Sequence, residues 1–235
     1  MIPNFLVLLL VFLSTLFALL FIHRERETFA KRAARHVDAR QAVHTVPTPR
    51  VGGIAIAVGI LSGALLSVND LFGTLLWATL PIFVIGLLED LGPDTPPFLR
   101  IGVAALSAIL AILVLNMHIT RVDLPGVDIL MSVTLVGMAF TIFASTGMTH
   151  AINLIDGLNG LSSAVVIAIM VTFGLVAHHY GHADLVVMNA VVCVAFIGFM
   201  CVNFPKGRVF FGGRGRVLHR ASHSLECDCT FEPRT

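Results

Sequence analysis

The sequence predicts an all-α, polytopic membrane protein, and three observations carry that reading. Of its 235 residues, 57% are hydrophobic and 12% charged, with a mean hydropathy of +0.92, a composition that excludes a water-soluble globule of this size. Apolar runs of about 17 to 20 residues, the length a helix needs to cross roughly 30 Å of hydrocarbon, recur along the whole chain. Those runs are apolar on nearly every face, whereas the strands of a membrane barrel alternate, so the spans are helices. A near-neutral net charge of +1 gives no ground for a nucleic-acid partner.

About seven spans are expected, near 4–22, 51–68, 72–88, 101–117, 129–147, 161–177 and 185–202. The first resembles a signal peptide, but its apolar run is longer than an h-region. No basic residue precedes it and no small-x-small cleavage site follows, so it reads as an uncleaved anchor. Behind it, 23–50 holds Arg24, Arg26, Lys31, Arg32, Arg35, Arg40 and Arg50. The positive-inside rule puts this segment in the cytoplasm and the N-terminus outside. By parity, 89–100, 148–160 and everything from 203 onward are cytoplasmic, with Arg100, Lys206 and Arg208, while the opposite loops hold only Arg121. Asp123-Leu124-Pro125-Gly126 reads as an external turn.

Four polar motifs fall on the same cytoplasmic side. Ahead of the second span stands His44-Thr45-Val46-Pro47-Thr48-Pro49-Arg50-Val51-Gly52-Gly53, where prolines stiffen an extended approach and glycines allow close backbone contact. Its plain structural reading is a well-made helix entry. Glu89-Asp90 closes the third span. A solvated boundary pair would explain it, yet two acids at a helix C-terminus oppose the macrodipole. Asn153-Leu154-Ile155-Asp156-Gly157-Leu158-Asn159-Gly160-Leu161 puts an acid and two amides at a membrane edge; a helix cap is the structural alternative to a functional site. The last motif is Asn203-Phe204-Pro205-Lys206-Gly207-Arg208-Val209-Phe210-Phe211-Gly212. Carboxylates and amides on one face are what a hard cation such as Mg²⁺ takes, usually together with substrate phosphates. Arg50, Lys206 and Arg208 could neutralise further phosphate charge, and the apolar body could seat a lipid tail.

In this order the motifs resemble the signatures of the polyprenyl-phosphate N-acetylhexosamine-1-phosphate transferases, glycosyltransferase family 4, which includes phospho-N-acetylmuramoyl-pentapeptide transferase. The resemblance runs over roughly 36–212. It implies a phosphotransferase that moves a sugar-1-phosphate from a UDP-sugar to undecaprenyl phosphate, releases UMP, and serves cell-wall or surface-polysaccharide (lipopolysaccharide) synthesis. The implied location is the bacterial inner membrane, with the active face cytoplasmic. Asp90, Glu89 and Asp156 would be catalytic, with Asp90 orienting or deprotonating the lipid phosphate and Glu89 supporting it. Asp156 and Asn153 would hold Mg²⁺, with Mn²⁺ as the alternative ion. His44, Arg50, Gly52, Gly53, Asn153, Asn159, Lys206 and Arg208 would bind substrate. A homodimer is left open.

Departures from the family pattern are local. Glu89 stands where the family often has Asp, which points to a surface-polysaccharide branch, and His150 stands where many members have Asn. Gly213 follows Phe211-Gly212 where the family has Asp, and the composition then turns to Arg214, Arg216, His219, Arg220, His223, Cys227 and Cys229. Codons for 213–221 read one nucleotide later can spell Asp-Gly-Gly-Ala-Tyr-Phe-Ile-Gly, so 1–212 is expected to be the transferase part, truncated relative to the family fold, and 213–235 a non-family, frameshifted tail. An inactive remnant or partner-binding subunit is the rival reading. A small transporter is a third, and it would need acids near mid-span. His178, His179 and His182 lie opposite the acids, Gly59 and Gly63 have helix-packing spacing, and the four cysteines imply no disulfide.

Overall fold

The computed structural model describes residues 4–24, 52–67, 69–91, 95–155 and 160–204, with the backbone alone at Asp90 and Leu91. The 213–235 tail, its boundary at 212 and the His44–Arg50 approach lie outside these residues. Eight α-helices occur in the described part: α1 Phe5–Arg24, α2 Gly52–Ser67, α3 Asp70–Leu91, α4 Pro97–Leu115, α5 Val127–Met131, α6 Thr134–Ile155, α7 Leu161–His179 and α8 Ala183–Asn203. Six are long and apolar enough to cross a membrane, and α2 is a shorter apolar helix. With 16 residues, α2 is about 24 Å long. The protein is a multi-pass membrane protein, and its apolar helices follow the expected spans.

The fifth span differs in detail. Its apolar run divides at Ser132-Val133 into the one-turn α5 and the long α6, and α6 continues through His150 and Asn153 to Ile155. Polar residues after Gly147 end the apolar run, but the first glycine beyond them is Gly157, so nothing in 148–155 breaks the helix. The motif at 153 therefore begins on a helix and not in a loop.

Helices α1, α2 and α8 form the tightest part of the core, where Val11, Thr15, Leu19, Ala55, Val191, Ala195 and Phe199 are fully buried. Gly59 and Gly63 make this approach possible. A Cβ on Gly59 would strike Thr15 Oγ1, and one on Gly63 would strike Val191 and Val11. Thr15 satisfies its own hydroxyl by donating to the Val11 carbonyl at 2.9 Å, and the Ser14 and Ser62 hydroxyls lie 2.9 Å apart across the α1–α2 seam. In hydrocarbon, with little hydrophobic drive between helices, such close packing and interhelical hydrogen bonding hold a bundle together.

The second pair is α3 with α4. Pro81 lies inside α3, where its ring lacks an N–H and crowds the preceding turn. The next residue, Ile82, donates its N–H across the interface to Ser107 Oγ at 3.2 Å. Asn69 caps α3 by accepting from the Phe72 N–H at 3.1 Å, and its amide donates to the Asp184 carbonyl at 3.2 Å. That bond ties the start of α3 to the start of α8.

On the same end as Asn69, the connection from α4 to α6 is a built turn, as expected. Val127 donates to the Leu124 carbonyl at 3.1 Å with Gly126 at φ 83°, a type II arrangement for which Pro125-Gly126 is suited. Asp128 accepts from the Val122 N–H at 2.9 Å, and Ile119 donates to Thr141 Oγ1 at 2.8 Å.

These contacts fix helix direction. Gly59 meets Thr15 and Ala195 while Gly63 meets Val11 and Val191, so α2 runs against both α1 and α8. Ile82–Ser107 and Ile119–Thr141 set α4 against α3 and α6 in the same way. Arg24, Gly52, Glu89, Pro97, Ile155, Leu161 and Asn203 consequently share one end of the bundle.

Candidate functional site

At that end α3 finishes on two acids, against its own dipole, and α4 presents Arg100 in its first turn, a cation at the positive end of a helix. Each charge is misplaced alone, and together they offset one another. Arg100 Nη1 donates to Glu89 Oε1 at 3.0 Å and to Oε2 at 3.3 Å. The Glu89 side chain is 11% exposed and that of Arg100 33%, so the pair is sheltered enough to matter more than a surface ion pair. Sequence reasoning used Arg100 only as an orientation charge. The signal that would have found it is the short, proline-rich connection 92–96, which forces an antiparallel hairpin and sets the first turn of α4 beside the last turn of α3.

Thr146, His150 and Asn153 stand at i, i+4 and i+7 of α6, on one face. Asn153 is exposed, and its amide oxygen is a hard donor of the kind Mg²⁺ accepts. Asp156 and Asn159, the other expected oxygen donors, fall outside the described residues. Among the described ones no group of three or more His, Cys, Asp or Glu is placed to hold a metal.

The third and fourth motifs meet at Gly160, which is buried with φ 78°. A Cβ there would lie 3.2 Å from Cδ2 of the Phe204 ring. Beside it, Asn203 is 2% exposed and Ser163 fully buried. Gly52 and Gly53 open α2 at the same end, Gly52 buried. Of the expected site residues, Gly52, Gly53, Glu89, Asn153 and the backbone of Asp90 are thus brought to one end, while His44, Arg50, Asp156, Asn159, Lys206 and Arg208 lie outside the described residues.

One pattern was invisible in the sequence. Seven buried side-chain polar atoms lack a hydrogen-bond partner among the described residues: His23 Nδ1, Thr95 Oγ1, Arg100 Nε, Thr146 Oγ1, His150 Nε2, Ser163 Oγ and Asn203 Oδ1. All belong to residues in the half of the bundle nearest Glu89 and Asn153. A buried unsatisfied polar group costs about 1–3 kcal/mol, and native proteins keep few of them. Among the described residues this end of the bundle is therefore the more polar one. The opposite end differs: a cavity of about 380 Å³ between α7 and α8 is lined mainly by apolar side chains such as Met170, Phe173, Leu185 and Met188. Asn189 in that cavity spends its amide on the Leu185 carbonyl at 2.7 Å. His178, His179 and His182 lie at this opposite end, as expected. Every described Asp or Glu lies at a helix end or in a connection, so the mid-span acids of a transporter are not found among the described residues.

The sequence model of glycosyl transferase family 4 matches residues 72–218, more than half of the chain. The chain belongs to glycosyl transferase family 4. Among the relatives of this glycosyl transferase family 4 member is a Bacillus subtilis (strain 168) protein named probable undecaprenyl-phosphate N-acetylglucosaminyl 1-phosphate transferase. It is 26% identical over 193 residues, 80% of this chain and 52% of the relative. The phospho-N-acetylmuramoyl-pentapeptide-transferase of Streptococcus pyogenes serotype M5 (strain Manfredo) is 26% identical over 198 residues, 77% of this chain and 59% of the relative. The chain spans little more than half the length of these relatives.

Proposed function

We propose that this chain transfers an N-acetylhexosamine-type sugar-1-phosphate from a UDP-sugar to undecaprenyl phosphate, releasing UMP, at the cytoplasmic face of the bacterial inner membrane, in the synthesis of cell-envelope polysaccharide. Family membership and the names of the relatives support the reaction class. What supports putting the chemistry at the end bearing Glu89, Arg100 and Asn153 is the gathering there of buried polar atoms that have no hydrogen-bond partner among the described residues.

In the reaction a phosphate oxygen of the lipid attacks the phosphorus next to the sugar, a new P–O bond forms, and the P–O bond to UMP breaks. Such transfers depend on positioning and on charge stabilisation. Asp90 orients the attacking lipid phosphate or takes its proton. Asn153 and Asp156 would hold Mg²⁺, which would supply neutralisation of phosphate charge. Arg50, Lys206 and Arg208 neutralise phosphate charge, and His44, Gly52, Gly53 and Asn159 contact the substrates. The apolar helix faces seat the polyprenyl chain.

The deciding experiment reconstitutes the chain in liposomes with undecaprenyl phosphate, Mg²⁺ and UDP-N-acetylglucosamine or UDP-N-acetylgalactosamine, and measures UMP. Release that depends on the lipid phosphate establishes the transferase. No release with either donor, from protein that stays folded and inserted, overturns it in favour of a non-catalytic subunit.

A further inference from the structure

We infer that Arg100 is a positioning residue of the transferase site, holding Glu89 and with it the terminal turn of α3 that carries Asp90; this rests on the function proposed above. The two adjacent acids cannot be equivalent. Successive helical residues point about 100° apart, and Glu89 faces α4, where Arg100 Nη1 reaches both of its oxygens at 3.0 and 3.3 Å. With its side chain 11% exposed, Glu89 is withdrawn from solvent and its charge is taken up by the guanidinium. The proposed function gives the chemistry to Asp90, the next residue on the same turn.

The tie spans a junction that needs one. A helix end frays unless its last turn is held, and beyond Leu91 the chain meets Gly92-Pro93, which cannot extend the helix. Pro96 and Pro97 start α4, with Pro96 at the N-cap, so the arginine sits on a pre-set first turn. Among the described residues the ion pair is the side-chain link between these two helix ends, and the Ile82–Ser107 bond lies two turns away. Arg100 thus acts through Glu89 and the α3 backbone, without touching the reacting phosphorus.

The test has two readouts. In liposome-reconstituted full chain, R100M should lower kcat for UMP release at least tenfold while KM for the UDP-sugar moves less than threefold. R100K should recover at least a third of kcat, and E89Q added to R100M should cause little further loss, because both act on one tie. A raised KM for undecaprenyl phosphate with additive E89Q and R100M losses would make Arg100 a direct phosphate contact and overturn the positioning role, as would full activity in R100M. The second readout needs no turnover. In a chain whose four native cysteines are serine and which carries D90C, the rate of modification by an anionic thiol reagent should change at least fivefold on adding R100M and return with R100K. An unchanged rate overturns the proposal. If the unmutated chain releases no UMP, the transferase reading falls, and the thiol rate still decides whether Arg100 controls position 90.

Discussion

Gly160 lies in the left-handed region at φ 78° with the Phe204 ring 3.2 Å from where its Cβ would be. The contact joins the entrance of α7 to the exit of α8, and so couples the Asn153 motif to the Asn203 motif. Gly160→Ala meets two penalties, a left-handed backbone costing about 1 kcal/mol for a residue with a Cβ and a methyl pressed on the ring. Turnover should drop at least fivefold with the bundle still folded. Adding Phe204→Leu should relieve the second penalty and restore part of the activity. Equal UMP release by Gly160→Ala and the unmutated chain would show that this junction does not set the site.

The packing of α2 makes a stability prediction. Gly59→Leu forces a side chain into Thr15 and Ala195, and overpacking of this kind costs about 1–3 kcal/mol. At Gly73 nothing lies within 4 Å, so Gly73→Leu adds helix propensity without a clash. In detergent, Gly59→Leu should lower the thermal midpoint by roughly 5 °C or more, and Gly73→Leu should leave it unchanged or slightly higher. Equal midpoints would sink the close-packed α1–α2–α8 seam.

Topology can be checked with a membrane-impermeant thiol reagent on intact cells, using a chain cleared of native cysteines. Cysteines at Gly126 and Gly181, on the turns at the end opposite Glu89, should be labelled. Those at Ala39 and Gly157 should be shielded until the membrane is opened. Labelling of Gly157→Cys from outside would place the polar end on the wrong side of the membrane for a cytoplasmic UDP-sugar.

How much of this could be read without coordinates depends on the scale of the interaction. Span positions were legible because each apolar run is a local property of 17–20 residues, and the Gly59–Gly63 spacing correctly marked a packing face. The end of α6 was not, because Thr149, His150 and Asn153 lower hydropathy without breaking a helix. The Glu89–Arg100 pair depends on an antiparallel hairpin, and Gly160–Phe204 on the meeting of two helix ends far apart in sequence. Neither is a periodicity. The order of the motifs revealed the family. It did not reveal that one of the two adjacent acids is already engaged.

The last prediction separates a metal role from a general loss of charge. Asp156→Asn preserves shape and removes the anionic oxygen, so at saturating Mg²⁺ UMP release should fall at least tenfold. The Mg²⁺ concentration for half-maximal rate should also rise, because a neutral amide oxygen holds a hard cation less well than a carboxylate. Glu89→Gln is the control, since its carboxylate serves Arg100: it should lower the rate without moving the Mg²⁺ midpoint. A shifted midpoint in Glu89→Gln and none in Asp156→Asn would exchange their roles, placing the ion at the end of α3 and leaving Asp156 to the substrate. Titrating Mg²⁺ against UMP release for both variants and the unmutated chain decides between the two assignments.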